Sequence, residues 1–209
     1  MKRIFIIGIL VVLLAVSAQP AAAITGGELD GEEHPNVGLM IADIDGVPAW
    51  RCSGTLIAPR VFLTAGHCTG DGATGARVWF ESDLTNNEDY PYAGPSAIEG
   101  TPIPHPLFAT VATNYYDVGV VILDQPVAGI APAQLPSPAL LSQLKKERIL
   151  EGGHTQGAYF KSVGYGGTLT SWPPPVIDYD RIRRWSESEF ASLTQTSLHL
   201  FQRAVFDES

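Results

Sequence analysis

After residue 16 the sequence of 209 residues holds no apolar run long enough to cross a bilayer as a helix. Basic residues are scarce: 13 Lys and Arg stand against 22 Asp and Glu, a formal charge of −9. Nucleic acid and anionic lipid need a basic footprint, so the charge argues against both as partners. Cysteine occurs only at Cys52 and Cys68. One pair cannot replace a hydrophobic core, and the 45% apolar content supplies one. The five histidines include no two at ligand spacing on one element, which argues against a metal site, and no residue pattern calls for a cofactor. Internal repeats and low-complexity tracts are also missing.

What is present begins with a leader. Lys2-Arg3 precede a 13-residue apolar stretch, Ile4 to Val16, and Ala21-Ala22-Ala23 offers small residues for a cleavage site. This is the layout of a secretory signal peptide over residues 1–23; an uncleaved anchor is the alternative, for which the apolar run is short. Cleavage removes two bases and no acid, which leaves 11 basic and 22 acidic residues, a charge of −11. The expectation is a secreted or extracytoplasmic protein, with no membrane contact after cleavage and an oligomeric state the sequence does not set. In an exported chain a cysteine pair favours a disulfide over a redox or metal site. The Cys52–Cys68 loop holds 17 residues, and closing it stabilises by roughly 3 kcal/mol.

The texture is all-β. Short apolar or alternating runs recur between Gly, Pro, Asn and Asp clusters. Strands are expected near Val37–Ala42, Arg51–Ile57, Arg60–Ala65, Arg77–Phe80, Ala97–Pro102, Val118–Leu123 and Ala158–Gly164. The run from Val118 to Leu123 is continuous, as in a strand buried on both faces. Leu140 to Leu150 has helical spacing. Pro126, Pro132, Pro136 and Pro138 mark an extended connector between a first unit ending near residue 125 and a second beginning near 139. The charged stretch from Asp178 to Phe190 is ambiguous.

Residues 61–68 read VFLTAGHC, an apolar strand that ends on a histidine and a cysteine. Acyl-transfer chemistry needs a nucleophile, a base for its proton and a group that fixes the base in one tautomer. His67 is a candidate base, because imidazole titrates near the working pH of most enzymes. Asp117 is a candidate orienter at the mouth of the Val118–Leu123 run; a plain strand-end aspartate is the other reading. His34 and His105, beside prolines, read as loop residues, His154 after Gly152-Gly153 reads as exposed, and His199 has no assigned role. Glu81, Asp83, Glu88 and Asp89 fit no calcium-loop template and read as a solvated acidic loop.

The stretch RCSGTLIAPRVFLTAGHC, residues 51–68, closely resembles the histidine segment of trypsin-like (chymotrypsin-family) serine endopeptidases. Other stretches agree in order: Ile24-Thr25-Gly26-Gly27, His105-Pro106-Leu107-Phe108, Asp117-Val118-Gly119-Val120, and Val163-Gly164-Tyr165-Gly166. The resemblance runs from Ile24 to about Gly167 and only faintly to Ser209. It implies two six-stranded antiparallel Greek-key barrels, the first over about 24–125 and a partial second over about 139–209. It implies His67 as general base, Asp117 as its orienter, a Cys52–Cys68 bridge, polypeptide substrates and no cofactor.

One family element is missing. A Gly-Asp-Ser-Gly-Gly turn should carry the nucleophile, because an oxyanion hole of backbone N–H groups needs glycine's freedom in φ. No glycine follows Gly167, and Ser171, Ser186, Ser188, Ser192, Ser197 and Ser209 have none beside them. The expectation is a sequence truncated before the nucleophile and inactive as written, with an incomplete second barrel. A catalytically dead homologue that acts as a secreted binding module is the alternative, and a non-functional remnant is a third reading.

Overall fold

The structure is a computed structural model and describes residues 27–108, 116–150, 159–171, 176–193 and 198–202. The expected leader and the Ile24 stretch lie outside those residues.

Six strands close an antiparallel barrel: β2 (Val37–Ile44), β3 (Val47–Ala58), β4 (Val61–Thr64), β5 (Gly75–Trp79), β6 (Ile98–Pro104) and β7 (Gly119–Leu123), in the spatial order β2-β3-β4-β7-β6-β5. Each strand sends alternate side chains inward. Met40, Ala42, Leu56, Phe62, Val78, Val121 and Leu123 fill the interior. Gly54 of β3 lies where Phe62 crosses: a Cβ there would stand 2.4 Å from the Phe62 ring and 2.5 Å from the Leu63 carbonyl oxygen.

The strand buried on both faces is β2, where the sequence pointed to Val118–Leu123. Met40 and Ala42 face the barrel interior, while Leu39 and Ile41 join Trp79, Leu84 and Tyr165 in a second cluster. In β7, Gly119, Val121 and Leu123 are buried but Val120 and Ile122 only half so. The apolar run there reflects a strand with one core face.

Among the described residues the second sheet has four strands. β11 (Arg184–Leu193) pairs with β8 (Tyr159–Gly164) on one side, and with β1 (Glu28–Leu29) and β12 (Leu198–Gln202) besides. β9 (Thr168–Ser171) and β10 (Val176–Asp178) form a hairpin. The architecture is therefore the expected one: mostly β, with one closed six-stranded barrel and a second, partial sheet. β11 is the ambiguous charged stretch. Its buried positions include Ser186 and Ser188, and the Ser188 hydroxyl meets Ser162 of β8 at 3.1 Å. An alternation of buried serines carries no hydrophobic signal, so the strand is silent in the sequence.

The described residues hold two short helices, α1 (Gly66–Thr69) and α2 (Leu140–Lys146). α2 stops four residues short of the expected Leu150, because Arg148 takes φ 58° and the Ile149 and Leu150 N–H groups turn back to the Leu144 carbonyl. Among the described residues no helix is long and apolar enough to cross a membrane.

Side chains join the two sheets. Arg51 donates to the carbonyls of Gly166 and Asp180, and the Tyr165 N–H donates to Ser53 Oγ at 2.8 Å. Burial pushes the Tyr165 hydroxyl up to about 12, so it remains a donor, to the Glu81 carbonyl at 2.6 Å.

Candidate active site

His67 sits in α1, the single turn that follows β4. Gly66 and Gly70 allow the turn to lie against Phe108: a Cβ on either would stand 2.7 Å from that ring. The Gly70 N–H donates to the Gly66 carbonyl at 2.7 Å, and Thr69 Oγ1 donates to the same carbonyl at 3.2 Å. Cys68 is bridged to Cys52 of β3, and Trp50 Nε1 donates to the Cys68 carbonyl at 3.2 Å. Covalent and hydrogen-bonded restraints thus fix the residue next to His67.

Asp117 comes from the other side of the barrel seam, two residues before β7. Register places Thr64 of β4 opposite Gly119 of β7, and that pairing brings the two segments together. His67 Nδ1 lies 2.9 Å from Asp117 Oδ2 and 3.1 Å from Oδ1, and the His67 backbone N–H donates to Oδ1 at 2.8 Å. Burial pushes the Asp117 carboxyl up, but the backbone N–H and imidazole of His67, with the Gly66 N–H, outweigh it and hold the group below its ordinary value. An ionised carboxylate only accepts, so the imidazole proton rests on Nδ1. Nε2 is then the basic nitrogen, on a side chain 59% exposed.

His67 Nδ1 or Nε2 and the two sulfurs lie within 4.8 Å of one another. A metal site needs thiolates, and the bridge consumes both sulfurs. Of the acidic loop, Asp83 has its carboxyl held down by the Thr85 side chain and by the Thr85 N–H, which donates to it at 2.8 Å. His154 and the side chain of His199 lie outside the described residues.

Sequence reasoning missed a second histidine–aspartate contact. His34 Nδ1 lies 2.5 Å from Asp30 Oδ1, and Asp30 Oδ2 accepts from Arg183 Nε at 2.7 Å. No sequence signal joins residues 153 positions apart. The i, i+4 spacing of Asp30 and His34 was the only available hint.

The family model described as Trypsin matches residues 31–198. Snake venom serine protease KN3 of Trimeresurus stejnegeri is 28% identical over 138 residues, which cover 62% of this chain and 48% of that protein. The chain thus spans about half the length of this relative. The solved structure of HL collagenase superposes with a TM-score of 0.57 over 81% of this chain and 64% of that one, at 18% identity. That likeness is one of fold.

Proposed function

The chain belongs to the trypsin family of serine proteases, and from that premise we propose that His67 and Asp117 are the general base and its orienter for acyl transfer on polypeptide substrates. The observation that carries this reading is the contact of Asp117 with both the Nδ1 edge and the backbone N–H of His67. Asp117 fixes the tautomer and stabilises the imidazolium. Nε2 takes the proton of a serine hydroxyl as it attacks the scissile carbonyl, then returns that proton to the leaving amine. The acyl-enzyme so formed is released by water.

These 209 residues hold no Gly-Asp-Ser-Gly-Gly turn. On their own they are therefore proposed to be catalytically silent. The same observation favours a second reading, in which the chain is a catalytically dead homologue that binds a partner. Under both readings the protein is exported: Lys2-Arg3, the apolar run and Ala21-Ala22-Ala23 support a cleaved leader, and the Cys52–Cys68 bridge suits an oxidising compartment.

The test is hydrolysis of a mixed set of chromogenic peptide esters and amides by the full chain and by His67→Ala. Background rates in both support a base without its nucleophile. Turnover that His67→Ala abolishes would show that a nucleophile is present and that the chain is an enzyme as it stands.

A further inference from the structure

The His67–Asp117 pair is flanked by the His105–Phe108 stretch, which touches chain neighbours of both members. The residue before Asp117 is Tyr116, a non-glycine residue at φ 65°. Left-handed backbone at a residue with a Cβ persists only where its surroundings enforce it. The Tyr116 side chain is not held by burial, since the residue is 48% exposed. Its ring instead stacks on His105, with centroids 4.9 Å apart and planes 9° from parallel.

His105 is itself tied down. Its N–H donates to the Val118 carbonyl at 2.9 Å, its carbonyl accepts the Phe108 N–H at 2.8 Å, and its Nδ1 accepts the Leu107 N–H at 3.1 Å. The Val118 N–H donates back to the Tyr116 carbonyl at 2.7 Å, so Asp117 is the centre of a three-residue turn closed on both sides. The same short stretch ends in Phe108, whose ring packs on Gly66 and Gly70 around His67.

We propose that His105 and Tyr116 are positioning residues for the His67–Asp117 pair. Their stacked rings hold Tyr116 in its left-handed conformation, and that conformation aims the Asp117 carboxylate at His67 Nδ1 and its backbone N–H. The role rests on the reading of the pair as base and orienter. It is separate from substrate contact, for both rings act through Asp117.

The test is NMR of the full chain, with labelled histidine for the His67 Nδ1–H resonance and a labelled aspartate carboxyl for the Asp117 titration. Two variants split the stack from the backbone. Tyr116→Gly accepts φ 65° without a ring, and Tyr116→Phe keeps a ring without the hydroxyl. Tyr116→Gly and His105→Ala should speed exchange of the Nδ1–H about tenfold and raise the Asp117 midpoint toward its ordinary value, a one-unit rise matching a tenfold change. Tyr116→Phe should restore both. Wild-type exchange and midpoint in Tyr116→Gly would overturn the proposal. If Tyr116→Gly loses its dispersed barrel amides, His105→Ala carries the test on the same criteria. An Asp117→Asn variant separates the two levels. An unchanged Nδ1–H there would sink the reading of the pair and the proposal with it, whereas a lost Nδ1–H beside a wild-type Tyr116→Gly sinks the proposal alone.

Discussion

Arg183 Nε donates to Asp30 Oδ2 at 2.7 Å, and both side chains are fully buried. Arg183 precedes β11 of the second sheet, and Asp30 follows β1. The guanidinium also donates to the carbonyls of Gly31, Val37 and Phe80 and to the Tyr165 hydroxyl, so its donors are spread over barrel and sheet together. A buried charge is tolerated only when paired and hydrogen-bonded, and here one arginine meets that condition by joining the two units.

Removal of one partner should therefore cost more than removal of both. Arg183→Met leaves the Asp30 carboxylate buried without its cation and should destabilise by about 3–5 kcal/mol. Adding Asp30→Leu should recover part of that loss. Urea unfolding of the three proteins checks the order; an Arg183→Met cost below that of the double variant would refute it.

Acid should weaken the same junction. Burial raises the Asp30 carboxyl, but the His34 imidazole and N–H and the Arg183 guanidinium outweigh it and hold the group below its ordinary value of 3.8. A depressed carboxyl stabilises the fold above its unfolded pKa, and that contribution fades as pH falls from about 4 through the lower folded value. Asp117 acts in the same direction. Stability measured from pH 7 to pH 2 should fall in the acid range, and less steeply in Asp30→Asn. Identical slopes would show that Asp30 is not depressed.

The bridge holds the histidine turn. Cys52→Ala with Cys68→Ala should cost about 3 kcal/mol from loop closure, and should free α1 ahead of the barrel. Mass spectrometry of the unreduced protein should find no alkylatable thiol, and hydrogen exchange should show the first loss of protection at residues 66–70. Two free thiols in the native protein would contradict the bridge.

The Gly54 position tests the barrel packing. Gly54→Ala places a methyl 2.4 Å from the Phe62 ring and 2.5 Å from a backbone oxygen that cannot rotate away. Overpacking of this kind costs about 1–3 kcal/mol. A thermal melt that does not move would mean that the strands slide apart more readily than the contacts indicate.

The first barrel was legible in the sequence because its signals are local, whereas the pairing of His67 with Asp117, 50 positions apart, was legible only through the resemblance to trypsin-like endopeptidases. Val61-Phe62-Leu63 marks a strand, and the small residues Ala65 and Gly66 mark the turn that carries His67. The disulfide was legible because only one pairing of two cysteines exists. The second sheet was less so. β11 hides its inward face behind serines, and β9, β10 and β12 lie beyond the last clear apolar run. Of the Asp30–His34–Arg183 cluster only the i, i+4 spacing of Asp30 and His34 was a hint, since Arg183 meets them only once both sheets are formed. The left-handed Tyr116 gave no warning either, because tyrosine is not a residue that marks positive φ.

His67 and Asp117 are proposed as a base and its orienter, and these 209 residues hold no Gly-Asp-Ser-Gly-Gly serine for them to serve. A fluorophosphonate probe is the sharpest check, because it bonds by strong preference to a serine whose proton is drawn off by a neighbouring base. No mass increase is expected when the full chain is incubated with the probe, with His67→Ala behaving identically. A single covalent adduct on one serine, absent in His67→Ala, would contradict it.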